Sequence, residues 1–157
     1  MGRIAMVAAL LVWVLGCAPA PIPDRLPPPL DPTKEGWYGQ TVSELQAVNR
    51  EAGVALSRKD VKKAGALVAQ GQPLANRVLA VPRPPLAAME AAADLDELYG
   101  RLLLGRREFG FARQVYQKNL ARWKHWQPRT EETERRLREA REAIAECDRR
   151  IGAQRPQ

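Results

Sequence analysis

The chain has 157 residues, with 25 Lys or Arg against 18 Asp or Glu, a net charge of +7, one His and two Cys. That length holds one ordinary domain, and so few His and Cys exclude most metal sites and any Cys-x-x-Cys redox motif. Leu, Ala, Arg and Glu dominate, while Val, Ile, Thr and Tyr do not cluster as strands require. The composition therefore predicts an all-α protein: a small helical bundle or a short stack of helical hairpins after a Pro-rich tether.

Met1-Gly2-Arg3 puts one positive charge ahead of an unbroken apolar run from Ile4 to Leu15, followed by Gly16 and Cys17. A basic start, an apolar stretch and a small residue at the cut are the parts of an export signal. The apolar run is about a dozen residues, short of the roughly 20 that span a bilayer. With Cys directly after Gly16, residues 1–17 resemble a bacterial lipoprotein signal, a family in which the Cys thiol is acylated and the chain is cut just before it. The resemblance implies a signal peptide over 1–16, a covalent lipid on Cys17 and a membrane anchor made by that lipid. Ala18 after the Cys, in place of the Asp that retains such proteins at the inner membrane, implies the periplasmic face of the outer membrane. Arg3 is the only charge removed, so the mature chain carries about +6.

Residues 18–35 hold seven of the thirteen prolines. Such a stretch favours extended polyproline II and reads as a spacer over 17–35, reaching about 55 Å at roughly 3.1 Å per residue. A single helical domain is expected over 36–152 and a disordered tail over 153–157. Gly36-Trp37-Tyr38-Gly39 marks the boundary, its aromatics placed to pack on the first helix.

Five helical segments follow. Thr41-Val42-Ser43-Glu44 matches a capping box and predicts the first helix start, with Val42, Leu45, Val48, Ala52 and Ala55 as its apolar stripe. Ser57-Arg58-Lys59-Asp60 reads as the next start, and Gly71 with Pro73 predicts a kink or break in the second helix. The third helix spans Leu86 to Leu104, with Gly105 as its stop. The fourth runs from about Glu108 to Trp126, with Phe109, Ala112, Tyr116, Leu120 and Trp123 on one half and Arg113, Lys118, Arg122 and Lys124 on the other. The last begins near Thr130. It carries the i,i+4 pairs Glu131–Arg135, Glu132–Arg136 and Glu134–Arg138 and a narrow stripe of Leu137, Ala140, Ile144, Cys147 and Ile151.

Gly100, Ala112 and Tyr116 fall where a tetratricopeptide repeat has its first-helix Gly, second-helix Ala and following aromatic, so residues 87–127 resemble a hairpin of that type. The pattern departs at Asp96, where Trp is common, at Asn119, where Ala is usual, and at Pro128, which comes about four residues late.

No catalytic set emerges. Ser43 and Ser57 read as caps, His125 as a solvated residue beside Lys124, and Asp94 and Glu97 as charges on a solvent-facing stripe. The chain reads as a non-enzyme with no cofactor beyond its lipid. Residues 101–129 hold eight Lys or Arg and one acid, Glu108. Arg113, Lys118, Arg122 and Lys124 are thus candidates for an anionic partner surface; export argues against nucleic acid as that partner. Cys147 is the one thiol left once Cys17 is acylated. It is either a buried small hydrophobe or a disulfide across a homodimer or to a partner. The preferred reading is a lipid-anchored helical module that assembles with an envelope protein complex. The alternative is a structural lipoprotein binding anionic envelope lipid or wall polymer.

Overall fold

A computed structural model describes residues 31–154; the signal segment, Cys17, most of the Pro-rich tether and the last three residues lie outside the described residues. Every regular element among the described residues is helical: a short 3-10 turn, Pro32–Lys34, and then α1 (Gly36–Ser57), α2 (Val61–Leu79), α3 (Leu86–Gly105), α4 (Phe109–Lys124) and α5 (Glu131–Gln154). Each helix packs on the next, and α1 also packs on α3, so the chain forms a stack of antiparallel hairpins whose core lies between neighbours. No helix among the described residues is long and apolar enough to cross a membrane.

The first helix starts earlier than the capping-box sequence predicts. Asp31 caps the 3-10 turn by accepting from the Thr33 amide at 3.1 Å, and the chain then enters α1 at Gly36. Tyr38 is buried, and its hydroxyl donates to the Val78 carbonyl at 2.8 Å. The Arg77 guanidinium lies 4.4 Å over the Trp37 ring. This packing on α2 extends the helix upstream, where a cap alone would have begun it at Thr41. Thr41 is instead buried inside the helix and donates to the Trp37 carbonyl at 2.7 Å. Ser57 likewise ends α1 and starts nothing; Asp60 caps α2, its carboxylate accepting from the Lys63 amide at 2.9 Å.

The predicted break at 71–73 is absent. Helix α2 runs unbroken through Pro73, because Pro73 and Ala69, whose carbonyl loses its partner, both face solvent. Gly71 is in the helix for close approach: a Cβ there would meet Leu95 Cδ1 at 2.6 Å. Gly100 plays the same part in the second hairpin, where a Cβ would meet the Tyr116 ring at 2.5 Å.

The two hairpin turns are copies. Lys59 has φ 62° and Arg107, 48 positions later, φ 61°. The Asp60 amide donates to the Ala55 carbonyl at 2.9 Å, and the Glu108 amide to the Leu103 carbonyl at 2.9 Å. The Lys59 and Arg107 amides reach Leu56 and Leu104, each at 3.0 Å. These paired bonds close both helices in a Schellman motif. The hairpin α1–α2 and the hairpin α3–α4 thus repeat at one register. Helix α5 follows as a fifth, unpaired helix that covers the end of the stack.

At the start of α5, Thr130 and Thr133 cap each other's amides, at 3.2 and 2.9 Å. Only one of the three expected i,i+4 pairs forms, Glu132–Arg136 at 2.6 Å. Arg135 turns to Glu132 and Glu139, and Glu134 is taken by Arg129. Leu137, Ala140 and Cys147 of the narrow stripe are buried, and Ile144 and Ile151 are half-buried.

Candidate functional site

The first helices of the two hairpins, α1 and α3, lie side by side, and between them runs an open groove of about 550 Å³. Gln46, Asn49 and Arg50 form one wall; Asp94, Glu97 and Leu98 form the other. Asn49 is 8% exposed. Its amide nitrogen donates to the Ala91 carbonyl at 2.7 Å, but its Oδ1 is buried with no hydrogen-bond partner. A buried acceptor left unmet costs about 1–3 kcal/mol.

Asp94 and Glu97 are shared with a second, smaller cleft of about 120 Å³ between α3 and α5, where Arg135, Arg136 and Glu139 close the far side. Arg136 bridges Asp94 at 2.6 Å and stacks 5.4 Å from the Trp123 ring. Glu97 keeps solvent contact as a residue, but desolvation in this cleft raises its carboxyl above the usual range. Arg101 opposes that shift; Glu139 and Asp94 add to it. The groove therefore offers one cation in Arg50 and two carboxylates, of which only Asp94 is ion-paired among the described residues. It can hold a segment that carries charged side chains of both signs. Nucleophile–base geometry is missing from the groove, and no metal-binding group of His, Cys, Asp and Glu occurs among the described residues.

The four cations of the expected anionic-partner surface are not equivalent. Arg113 pairs with Asp148 of α5 at 2.6 Å. Lys118 and Arg122 both reach Asp96, at 3.1 and 3.0 Å. Asp96 is 3% exposed, and Arg122 also donates to Asn119, whose own amide reaches the Ala93 carbonyl at 3.0 Å. This closed network locks α4 to α3. Lys124 alone of the four is exposed and without an ion pair among the described residues; its carbonyl accepts from Arg129 at 2.7 Å. Counting charges along 101–129 missed the acids that α3 and α5 bring across.

Cys147 is fully buried among Leu103, Ala112, Tyr116 and Ile144. Burial raises its thiol pKa, Asp148 and Glu146 adding and Arg113 opposing. A disulfide from this position requires α5 to lift off α4. Trp123 is buried and meets Trp126 edge-on with centroids 6.5 Å apart, so the Arg-Trp-Lys-His-Trp run points its indoles inward. His125 is exposed at the end of α4.

Sequence reasoning passed over Asn49 and met Asp96 only as a departure from the repeat pattern, without its buried partners. Both carry the same signal: a polar residue spaced on the apolar stripe, Asn49 four after Leu45 and Asp96 four after Ala92. With this geometry in place, comparison with known proteins adds nothing further: no family description, curated protein or solved structure matches the chain.

Proposed function

We propose that this chain is an envelope lipoprotein whose helical stack is a non-enzymatic assembly module. In this reading the lipid on Cys17 holds it at the periplasmic face of the outer membrane. The Pro-rich tether links the stack to the lipid with slack, and the α1/α3 groove receives an extended segment of an envelope protein partner. The groove between the first helices of the two hairpins carries the reading: Arg50 on one wall and Glu97 on the other, neither in an ion pair among the described residues, suit an extended segment that brings a basic and an acidic side chain. The repeat-like hairpins, with Gly100 against Tyr116, support it further, since stacked hairpins commonly present such faces.

The test places a photocrosslinking amino acid at Gln46 or Leu98, with Ala121 on the exposed side of α4 as control, in the membrane-anchored protein in native envelopes. One defined protein adduct from the groove positions and none from Ala121 is expected. Cys17→Ser should move the protein out of the membrane fraction. Adducts equal at all three positions, or only with lipid and wall fragments, sink the groove reading.

A further inference from the structure

The short turns at 58–60 and 106–108 put both hairpin tips at one end of the stack, and the α2/α3 groove confirms their closeness: Lys62 and Arg106 line it together. Gly65 stands beside the Arg106 guanidinium, its Cβ position 3.5 Å from Nη2. This end carries Arg58, Lys59, Lys62, Lys63, Arg106 and Arg107, and none of these six has an ion pair among the described residues. Of the nearby acids, Asp60 is engaged in capping α2, Glu146 beside Arg107 is paired with Arg149 and Arg150, Glu51 lies near Arg58 and Lys63, and Glu108 stands at the start of α4.

Two further observations are independent of that charge. First, Lys59 and Arg107 occupy the left-handed region, which favours Gly at the end of a helix. Both repeats accept that strain and both place a cation there, so the side chain has a use the fold does not supply. Second, the same end exposes large apolar side chains: Phe111 is 62% exposed and Val61 46%. The α2/α3 groove, about 580 Å³, has an apolar floor of Val68 and Leu102 beside Tyr99, two cations and no acid.

We propose that the hairpin-turn end of the stack seats on an anionic phospholipid surface. Lys59, Lys62, Arg106 and Arg107 meet headgroup phosphates, and Phe111 and Val61 press into the headgroup layer. Cations alone would suit any polyanion; exposed apolar side chains among them select a bilayer interface. The groove between α1 and α3 plays no part in this contact.

The experiment sediments the purified full chain with vesicles of phosphatidylcholine alone and of phosphatidylcholine with phosphatidylglycerol. The apolar N-terminal segment is present in every sample, so binding is read as the difference between vesicle types and between variants. A surface cation is worth roughly fivefold in partitioning onto an anionic membrane. Lys59→Gly with Arg107→Gly should therefore weaken phosphatidylglycerol-dependent binding about 25-fold while raising the melting temperature, because Gly relieves the strained turns. A merely structural role for these side chains moves the two readouts together. Lys59→Arg with Arg107→Lys should bind as the parent does. Phe111→Ser should weaken binding without changing the melting temperature. Equal partitioning onto both vesicle types, or unchanged binding by the glycine pair, overturns the proposal. So does loss of binding to soluble polyglutamate in the glycine pair with Phe111→Ser indifferent on vesicles, which assigns this end to an acidic polymer.

Discussion

Asp96 and Glu97 are neighbours in the chain and opposites in setting. Asp96 points into the α3/α4 interface and meets Arg122 and Lys118; its carboxylate has partners on both oxygens. Removing it leaves the Arg122 guanidinium, whose side chain is 6% exposed, without a counter-charge. Asp96→Ala is expected to cost about 3–5 kcal/mol in urea unfolding, the range for breaking one partner out of a buried pair. Glu97 points into the α3/α5 cleft, where desolvation raises its pKa. The folded state therefore holds its proton more tightly than the unfolded state does. The stabilisation this gives is fully present below the unfolded value and is lost as pH rises through the folded one. Glu97→Gln should thus flatten the stability profile above the ordinary glutamate range. It should be more stable than the parent at neutral pH and close to it in mild acid, read by denaturation across that window.

At the scale of elements, the hairpins are set by contacts that sequence periodicity carries only in part. The apolar stripes of α1, α4 and α5 contain most of the buried apolar residues of those helices, and the α3 and α4 boundaries fall within one or two residues of those read from the chain. Helix ends were less legible. Thr41 and Ser57 have the right chemistry for caps but lose to packing: Tyr38 docking on Val78 starts α1 early, and the Schellman closure at Lys59 hands the next cap to Asp60. A left-handed residue is unreadable when a Lys fills a position that Gly signals elsewhere. Pro73 predicts a break only if its orphaned carbonyl is buried, and that depends on which face α2 turns outward. Gly100 is the clearest test of close packing. Gly100→Ala drives a methyl into the Tyr116 ring, which is itself buried, and should cost about 1–3 kcal/mol, measured as a lower urea midpoint at unchanged slope.

At the scale of the molecule, the helices pack on one another mainly in chain order; α5 also reaches α3 through the Arg136–Asp94 bridge, and the packing of α1 on α3 forms the groove. The groove was not legible in the sequence for that reason: its two walls lie more than forty residues apart, and only the stacking of one hairpin on the next brings Asn49 opposite Asp94. The charge pattern was misleading in the same way. Residues 101–129 are strongly basic along the chain, yet Asp96 and Asp148 reach across to three of their cations, while the unpaired basic charge gathers at the turns. Stacked units of this kind draw their stability from each repeat and its interface with the next.

That arrangement also decides how the molecule bears tension. The chain enters the stack at Asp31, beside α1. A pull on that entry loads the Tyr38–Val78 hydrogen bond and the Trp37–Arg77 stack first, then the α1 interfaces one turn at a time. If the α1/α3 groove holds a partner as proposed, the helix that takes this load is also one wall of the grip, so tension on the entry side is expected to loosen the groove before it reaches α4 and α5.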